Sequence, residues 1–275
     1  VKDIKIPSMG LWAIAACLLI IHLTLNVKAD RYSHLAMSIL FWLAAFSVVE
    51  DKRDQLKSGS DLASVCLGAI LTVGILLKSA TFPQGDFLSI SPLLSGLGLA
   101  LLASGWRSLG QYWQSLFTLF FLGIPRVLLF LLPDISPLTA KFSALLLWYI
   151  GIPISLEGNY IFIPNGGVEV VPSCSGLNLI TYMLALIVVF LVLFPTLRIH
   201  KVIAPIVAVL LGFIVNAIRV ALLAILSTNT TQQAFKYWHD EGGALIFVLV
   251  AIVLLGIFCG FLIHQAFSRN QAWKD

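Results

Sequence analysis

Apolar stretches of about 18 residues recur along the whole chain, and each is long enough to cross a hydrocarbon core of ~30 Å as a helix. Lipid satisfies no backbone polar group, so a chain written in such stretches is expected to fold as a bundle of spanning helices. The composition agrees. Of the 275 residues, 59% are apolar and 11% charged, where a soluble domain carries about 25% charged residues. The polar text that remains is too short for a separate soluble domain, so the expected architecture is one all-α, polytopic membrane domain over residues 1–275. The net charge of +4 is small and scattered, which argues against nucleic acid as a partner.

Spans are expected at 10–27, 34–49, 62–77, 90–104, 115–132, 177–194, 202–227 and 243–264. The first follows Lys2 and Lys5 without a small-residue cleavage site, and is expected to be a retained span and not a removed signal. A ninth apolar stretch, 138–153, is short and opens with Thr139, Lys141 and Ser143. Lys and Arg favour cytoplasmic loops, which decides how that stretch is treated. If all nine cross, the basic residues divide eight against seven, with Lys28, Arg31, Lys78, Lys141, Arg198, Lys201, Arg269 and Lys274 on the larger side. If 138–153 lies in the outer interface, eight helices cross and both termini are cytoplasmic. The outside then holds only Lys28, Arg31, Lys78, Lys141 and Lys236, five against ten. The eight-span arrangement satisfies the positive-inside rule.

The segment after 138–153 is the least membrane-like. Asn159-Tyr-Ile-Phe-Ile163 and Val168-Glu-Val-Val171 flank Pro164-Asn-Gly-Gly167, which reads as a short β-hairpin. Open strand edges are not tolerated against lipid, so the hairpin belongs on the outer surface or under covering helices. Of the four cysteines, Cys17, Cys66 and Cys259 lie in apolar helix text and behave as small hydrophobes.

Cys174 differs. In Val171-Pro-Ser-Cys-Ser-Gly176 it stands where the polar segment becomes a membrane helix. Backbone N–H groups and the helix dipole favour an anion at such a place, and the thiolate is the nucleophilic form of cysteine. Ser173 and Ser175 offer capping hydroxyls, and Gly176 leaves room for a close backbone. Arg219 lies within Gly212-Phe-Ile-Val-Asn-Ala-Ile-Arg219, flanked by apolar residues. An intramembrane Arg costs ~2.5–3.5 kcal/mol on insertion scales and usually marks function; Asn216 sits one turn earlier on the same face. His239, in Tyr237-Trp-His-Asp-Glu-Gly-Gly243, immediately precedes the last span. His200 and His264 fall on the cytoplasmic side, while His22 and His34 sit at the first helical hairpin without a polar motif around them. A nucleophile, a buried cation and a titratable base thus fall on one membrane face, the general arrangement for acyl transfer through a thioester. HExxH, CxxC, GxSxG and Gly-rich phosphate-loop signatures are absent, and the residues call for no metal or cofactor.

Cys174-Ser-Gly-Leu177 after a hairpin, Asn216-x-x-Arg219 in the next helix, and His239-x-x-x-Gly243-x-x-x-Phe247 entering the last helix resemble, in that order, the exosortase/archaeosortase pattern. The eight-helix layout and Phe82-Pro-Gln-Gly-Asp-Phe87 in an outer loop fit it too. Ser173 stands where members often carry Ala, and Asn178 where some carry a basic residue; the subgroup it most resembles is the cyanobacterial-type exosortases. The resemblance implies a cysteine transpeptidase of the inner membrane with its active site on the extracytoplasmic side. Its substrates would be exported proteins ending in a Pro-Glu-Pro-like motif, a transmembrane helix and a basic tail, and its acceptor a lipid, a glycan or water. It makes Cys174 the nucleophile, Arg219 the group that stabilises the oxyanion or holds the thiolate, and His239 the acid–base, with Ser175, Asn216 and Gly243 lining the substrate site.

Arg126, after Pro125 in the fifth expected span, is a second expensive intramembrane cation. It is the candidate partner for the Glu of the motif, since Arg binds carboxylates through paired hydrogen bonds. Two readings of other classes stay open on the sequence: a transporter or flippase with Arg126 and Arg219 lining a solute path, and a non-enzymatic subunit of a polysaccharide export system.

Overall fold

The computed structural model describes residues 4, 6–81, 85–194, 196–229 and 232–271. Lys2, Lys5, Lys274 and the Phe82-Pro-Gln part of the loop motif lie outside them. Among the described residues, seven helical stretches are long and apolar enough to cross a membrane, each overlapping an expected span. The exception is 115–132. There the α-helix is only 15 residues, Trp113–Val127, or about 22 Å, followed by a 3-10 turn at Leu128–Leu131. Pro125 lies in its last turn, and a proline removes one ladder hydrogen bond and crowds the carbonyl four residues earlier.

The chain divides into two compact units, Val1–Val127 and Leu128–Asp275. The first contains α1 (Ser8–Lys28), α2 (Tyr32–Asp51), α3 (Leu62–Ala80), α4 (Asp86–Ser104) and α5 (Trp113–Val127). Helix α4 packs against α1, α3 and α5. Small residues permit this: a Cβ on Gly68 would stand 2.9 Å from the Gly98 carbonyl oxygen, and one on Gly123 would overlap the Ser89 backbone. Close approach of backbones at small residues is the main adhesive between helices when lipid removes the hydrophobic one.

His22 and His34 depart from their expected isolation. The His22 ring meets Ser91 Oγ at 3.2 Å and Ser38 Oγ at 2.9 Å, and the Asn26 amide reaches its Nε2 at 3.2 Å. His34 bonds the Leu88 backbone, with the charge of Arg126 close enough to be felt. All of His22, Asn26, His34 and Ser38 are buried. The rings of His22 and His34 find partners on other helices, Ser38, Ser91 and Leu88, which a reading of one segment at a time misses.

The second unit is built on α8 (His200–Asn229), 30 residues long. Helices α6 (Ser136–Tyr149), α7 (Leu177–Leu193), α9 (Gln232–His239) and α10 (Glu241–Gln271) pack on it. The inner face of α6 is small and hydroxylated, with Ser136, Thr139, Ala140, Ser143 and Ala144 buried. Ser143 Oγ donates to the Ala217 carbonyl at 3.0 Å. Its outer face exposes Leu138, Leu145, Trp148 and Tyr149, an apolar surface suited to the interfacial placement expected for 138–153.

The expected hairpin is present within a three-stranded antiparallel sheet, β1 (Ser155–Glu157), β2 (Tyr160–Ile163) and β3 (Gly166–Glu169). Ile163 pairs with Gly166, so the turn is Pro164-Asn165 alone, with Asn165 at φ 67°. Gly166 and Gly167 belong to the strand. A Cβ on Gly166 would meet Ser227 and Thr228 within 2.8 Å, and Gly167 N–H donates to Ser227 Oγ at 3.0 Å. Gly166 therefore lets β3 lie on the C-terminal end of α8. Ile161, Ile163 and Val170 complete a core with Ala140, Ala144, Leu147, Val220, Ala221 and Ala224, so α6 and α8 cover one face of the sheet.

Candidate active site

Pro172–Cys174 forms one 3-10 turn, closed by Cys174 N–H on the Val171 carbonyl at 2.8 Å. Helix α7 starts only at Leu177, after Gly176 in the left-handed region (φ 97°). The cysteine thus sits one turn ahead of the helix, not on its first residue. Ser173 does not cap α7, and Ser175 reaches that end only by a long contact, with Leu177 N–H donating to its Oγ at 3.5 Å. Ser175 Oγ instead donates to the Pro172 carbonyl at 2.8 Å, while its own carbonyl accepts Thr139 Oγ1 at 2.7 Å. Ser175 is fully buried. It braces the Cys174 turn against α6.

Asn216 braces the same turn from α8. Its Nδ2 donates to the Cys174 carbonyl at 2.9 Å, and the residue is 4% exposed. A Cβ at position 176 would stand 2.7 Å from that Nδ2. Two separate demands, a positive φ and an amide in the way of any side chain, therefore require glycine there. Asn216, expected to line the substrate site, turns its amide toward the Cys174 backbone.

His239 is the last residue of α9 and not part of a loop. Its Nε2 stands 3.6 Å from Cys174 Sγ. The side chain is 46% exposed, and the Phe235 ring, one turn earlier, stacks on it with centroids 5.9 Å apart. Nδ1 faces Asp240 Oδ1 at 3.4 Å, a carboxylate the sequence reading passed over. A carboxylate on the far nitrogen favours the tautomer that presents Nε2 to the thiol as acceptor.

Arg219 Nη2 donates to the His239 carbonyl at 2.6 Å. That bond ties the end of α9 to α8 beside the thiol, and a guanidinium carries further donors in a fixed fork. Gly243 lies in the first turn of α10, where a Cβ would come within 2.4 Å of Trp238 Cα. Its smallness lets α10 start directly against the end of α9. Cys174, Arg219 and His239, with Asn216, Ser175 and Gly243 around them, are thus brought together within the second unit. Arg126 belongs to the first, half-buried with its charge near His34. Cys17 and Cys66 are exposed and Cys259 partly so. Among the described residues, no three His, Cys, Asp or Glu side chains cluster as metal ligands do.

A family model for the transmembrane exosortase (Exosortase_EpsH) matches residues 27–256. The chain belongs to the transmembrane exosortase family. The matched residues contain all three motifs from which the resemblance was read, so that reading is borne out at the level of the family. A curated relative, "Probable archaeosortase E" of Methanocaldococcus jannaschii, is 36% identical over 101 residues, covering 37% of this chain and 52% of that protein. The chain therefore spans about half the length of the curated relative it matches. No solved structure matches it. The turn carrying Cys174 is braced by Thr139 and Asn216, and the end of α9 by Arg219.

Proposed function

We propose that this chain is a cysteine transpeptidase of the cell inner membrane, which cleaves Pro-Glu-Pro-like C-terminal sorting signals on the extracytoplasmic side and passes the new C-terminus to an acceptor. The observation that carries the reading is the 3.6 Å approach of His239 Nε2 to Cys174 Sγ, a nucleophile and base within reach of one proton transfer. A solute path has no use for that pair.

His239 Nε2 takes the thiol proton, and the thiolate attacks the scissile carbonyl carbon. The C=O π electrons move to oxygen, where the Arg219 guanidinium stabilises the oxyanion. Collapse re-forms the carbonyl and breaks the C–N bond, and His239 gives its proton to the departing amine. The exported protein is then held as a thioester on Cys174. An acceptor hydroxyl, amine or water gives its proton to His239, attacks the thioester and releases the thiolate. Asp240 holds the ring, and Asn216 holds the backbone that carries the thiol.

Length supports a site near the outer membrane boundary. Thirty residues of α8 measure ~45 Å, about ten residues more than a ~30 Å core needs. The last ten, 220–229, include those that pack against the sheet. Arg219 is where that excess begins, and α9 brings His239 back to its level. A substrate helix lying in the bilayer would present its motif at this height, just outside the hydrocarbon.

The test is to mix the purified chain, in liposomes, with a sorting-signal substrate and quench in acid. A thioester intermediate gives enzyme heavier by the mass of the exported portion, released by hydroxylamine and missing in Cys174→Ser. Cleavage with no such adduct under rapid quench, and none when acceptors are withheld, refutes the mechanism.

A further inference from the structure

Strand β3 lies at one edge of the sheet, and its register fixes which way its backbone groups point. Val170 N–H donates to the Asn159 carbonyl at 2.9 Å, so that opposed pair is hydrogen-bonded. Along an antiparallel ladder such pairs alternate with pairs that exchange no bond. Tyr160 opposes Glu169 and Phe162 opposes Gly167, and both are pairs of the second kind. Gly167 and Glu169 therefore turn their N–H and C=O groups away from β2. The Gly167 N–H bears this out, since it reaches Ser227 Oγ of α8 at 3.0 Å. The backbone is still extended at Val171 (φ −83°, ψ 162°), which turns the Val171 N–H to the same edge.

Ser227 covers that edge only at its start. The Gly167 carbonyl, both backbone groups of Glu169 and the Val171 N–H have no hydrogen-bond partner among the described residues, and Glu169 is exposed. Proteins ordinarily cover or blunt an open edge. Here the open stretch from Glu169 to Val171, about 7 Å long, ends at the 3-10 turn that carries Cys174. An edge of this kind accepts an extended peptide through main-chain hydrogen bonds.

Direction selects the peptide. Strand β3 begins against Ser227 and Thr228 at the end of α8 and leads into the turn held by Asn216, about three helical turns back along α8. On the transpeptidase reading, on which this strand depends, a substrate runs from its exported body down to its membrane helix. The segment approaching the thiol is therefore parallel to β3. In such pairing every second residue of the added strand turns its N–H and C=O to the edge, and the residues between need no donor there. Proline has no donor and is accepted in a strand where its nitrogen faces away. The prolines of Pro-Glu-Pro are two apart, so one register turns both away and presents the Glu N–H and C=O to β3. That register also puts the substrate Glu side chain on the opposite sheet face from Glu169, which keeps like charges apart.

We propose that the Pro-Glu-Pro-like segment of the substrate adds to the sheet as a fourth strand, parallel to β3 at Glu169, with its Glu backbone bonded to that edge and both prolines facing away. The strand delivers the chain to Cys174 and accounts for proline at alternate positions of the signal.

The experiment uses the full chain in dioleoyl phosphatidylcholine liposomes and a synthetic signal, the Pro-Glu-Pro motif followed by its hydrophobic helix. Affinity is read by competition against a labelled copy. An ester in place of the Pro–Glu amide deletes the Glu N–H without adding bulk, and should weaken binding about three- to tenfold, the net worth of one hydrogen bond. N-methylalanine in place of either proline also lacks a donor and should leave affinity unchanged. On the enzyme, Glu169→Pro deletes the outward N–H without touching the ladder to β2, and should bind the signal about three- to tenfold less tightly than Glu169→Ala, which keeps that donor. Thermal melts identify a Glu169→Pro variant that has lost its fold, and the ester signal, which needs no variant, then decides alone. Equal binding of ester and amide overturns the proposal, as does equal affinity of folded Glu169→Pro and Glu169→Ala, or failure of the signal to bind. The thioester adduct is a separate readout. An adduct with indifference to the ester sinks the added strand alone, and ester sensitivity without an adduct sinks the transpeptidase reading alone.

Discussion

Gly176→Ala is the change through which the geometry around the thiol can be questioned most closely. At φ 97° an alanine suffers a left-handed penalty of about 1–2 kcal/mol. Its Cβ would also stand 2.7 Å from Asn216 Nδ2, so one of the two must move. If the amide moves, the 2.9 Å bond to the Cys174 carbonyl is lost, and a buried carbonyl without its donor costs another ~1–3 kcal/mol. Together these are of order 2–5 kcal/mol, enough to shift the nucleophile turn, and a misplacement near 1 Å costs roughly 10²-fold in rate. The assay is single-turnover cleavage of a sorting-signal substrate in proteoliposomes, with substrate affinity measured separately. The rate should fall ~10²-fold while affinity holds. Asn216→Ala should reproduce much of that loss, and adding Gly176→Ala to it should cost little more than the backbone penalty. Losses that multiply in the double variant would mean the two residues act independently, and the bracing account of Asn216 would be wrong.

Four further outcomes follow from the same geometry. Arg219→Lys retains charge but gathers its donors on one nitrogen, which cannot span both the His239 carbonyl and the oxyanion, so cleavage should fall ~10²-fold or more; near-normal rates would mean only diffuse positive potential matters. Asp240→Asn should lower the rate about tenfold without changing substrate affinity, a modest effect because the carboxylate is half-exposed and 3.4 Å from the ring. In a background lacking Cys17, Cys66, Cys174 and Cys259, an impermeant thiol reagent on intact spheroplasts should label Glu157→Cys and spare Lys57→Cys; the reverse pattern inverts the proposed topology. If Arg126 reads the substrate Glu, Arg126→Gln should weaken processing of that substrate but add little once the Glu is Gln, and additive losses would refute the contact.

Seven spans were legible from hydropathy because crossing a bilayer requires only length and apolarity, both written locally. The helix at 113–127 shows the limit of that rule. Apolar residues continue past Pro125, but the backbone ladder does not. The third strand was missed although Gly158-Asn159, with Gly158 at φ 60°, is a two-residue hairpin turn joining Glu157 to Tyr160. Helix α9 gave no signal of its own because half of its eight residues are polar; the spacing of Phe235 and Trp238, three apart, was the available sign.

At the site, residue types were legible and distances were not. The Cys174–His239 approach joins positions 65 apart, and the Ser91 partner of His22 is 69 residues away. Gly243 and Asn216 stood out as motif residues, but only packing shows that one clears Trp238 and the other holds a carbonyl.

The central claim is that the thiol of Cys174 is the nucleophile, and replacing it is the most direct test. Cys174→Ala should insert and fold normally, since among the described residues the thiol's polar contacts are His239 Nε2 at 3.6 Å and the Ser173 hydroxyl at 4.0 Å. Exported proteins bearing the sorting signal should then accumulate as full-length precursor in cells, and the purified variant should cleave none. Cys174→Ser should be nearly as inactive, because a hydroxyl is a far weaker nucleophile than a thiolate. Normal processing by Cys174→Ala would contradict the account.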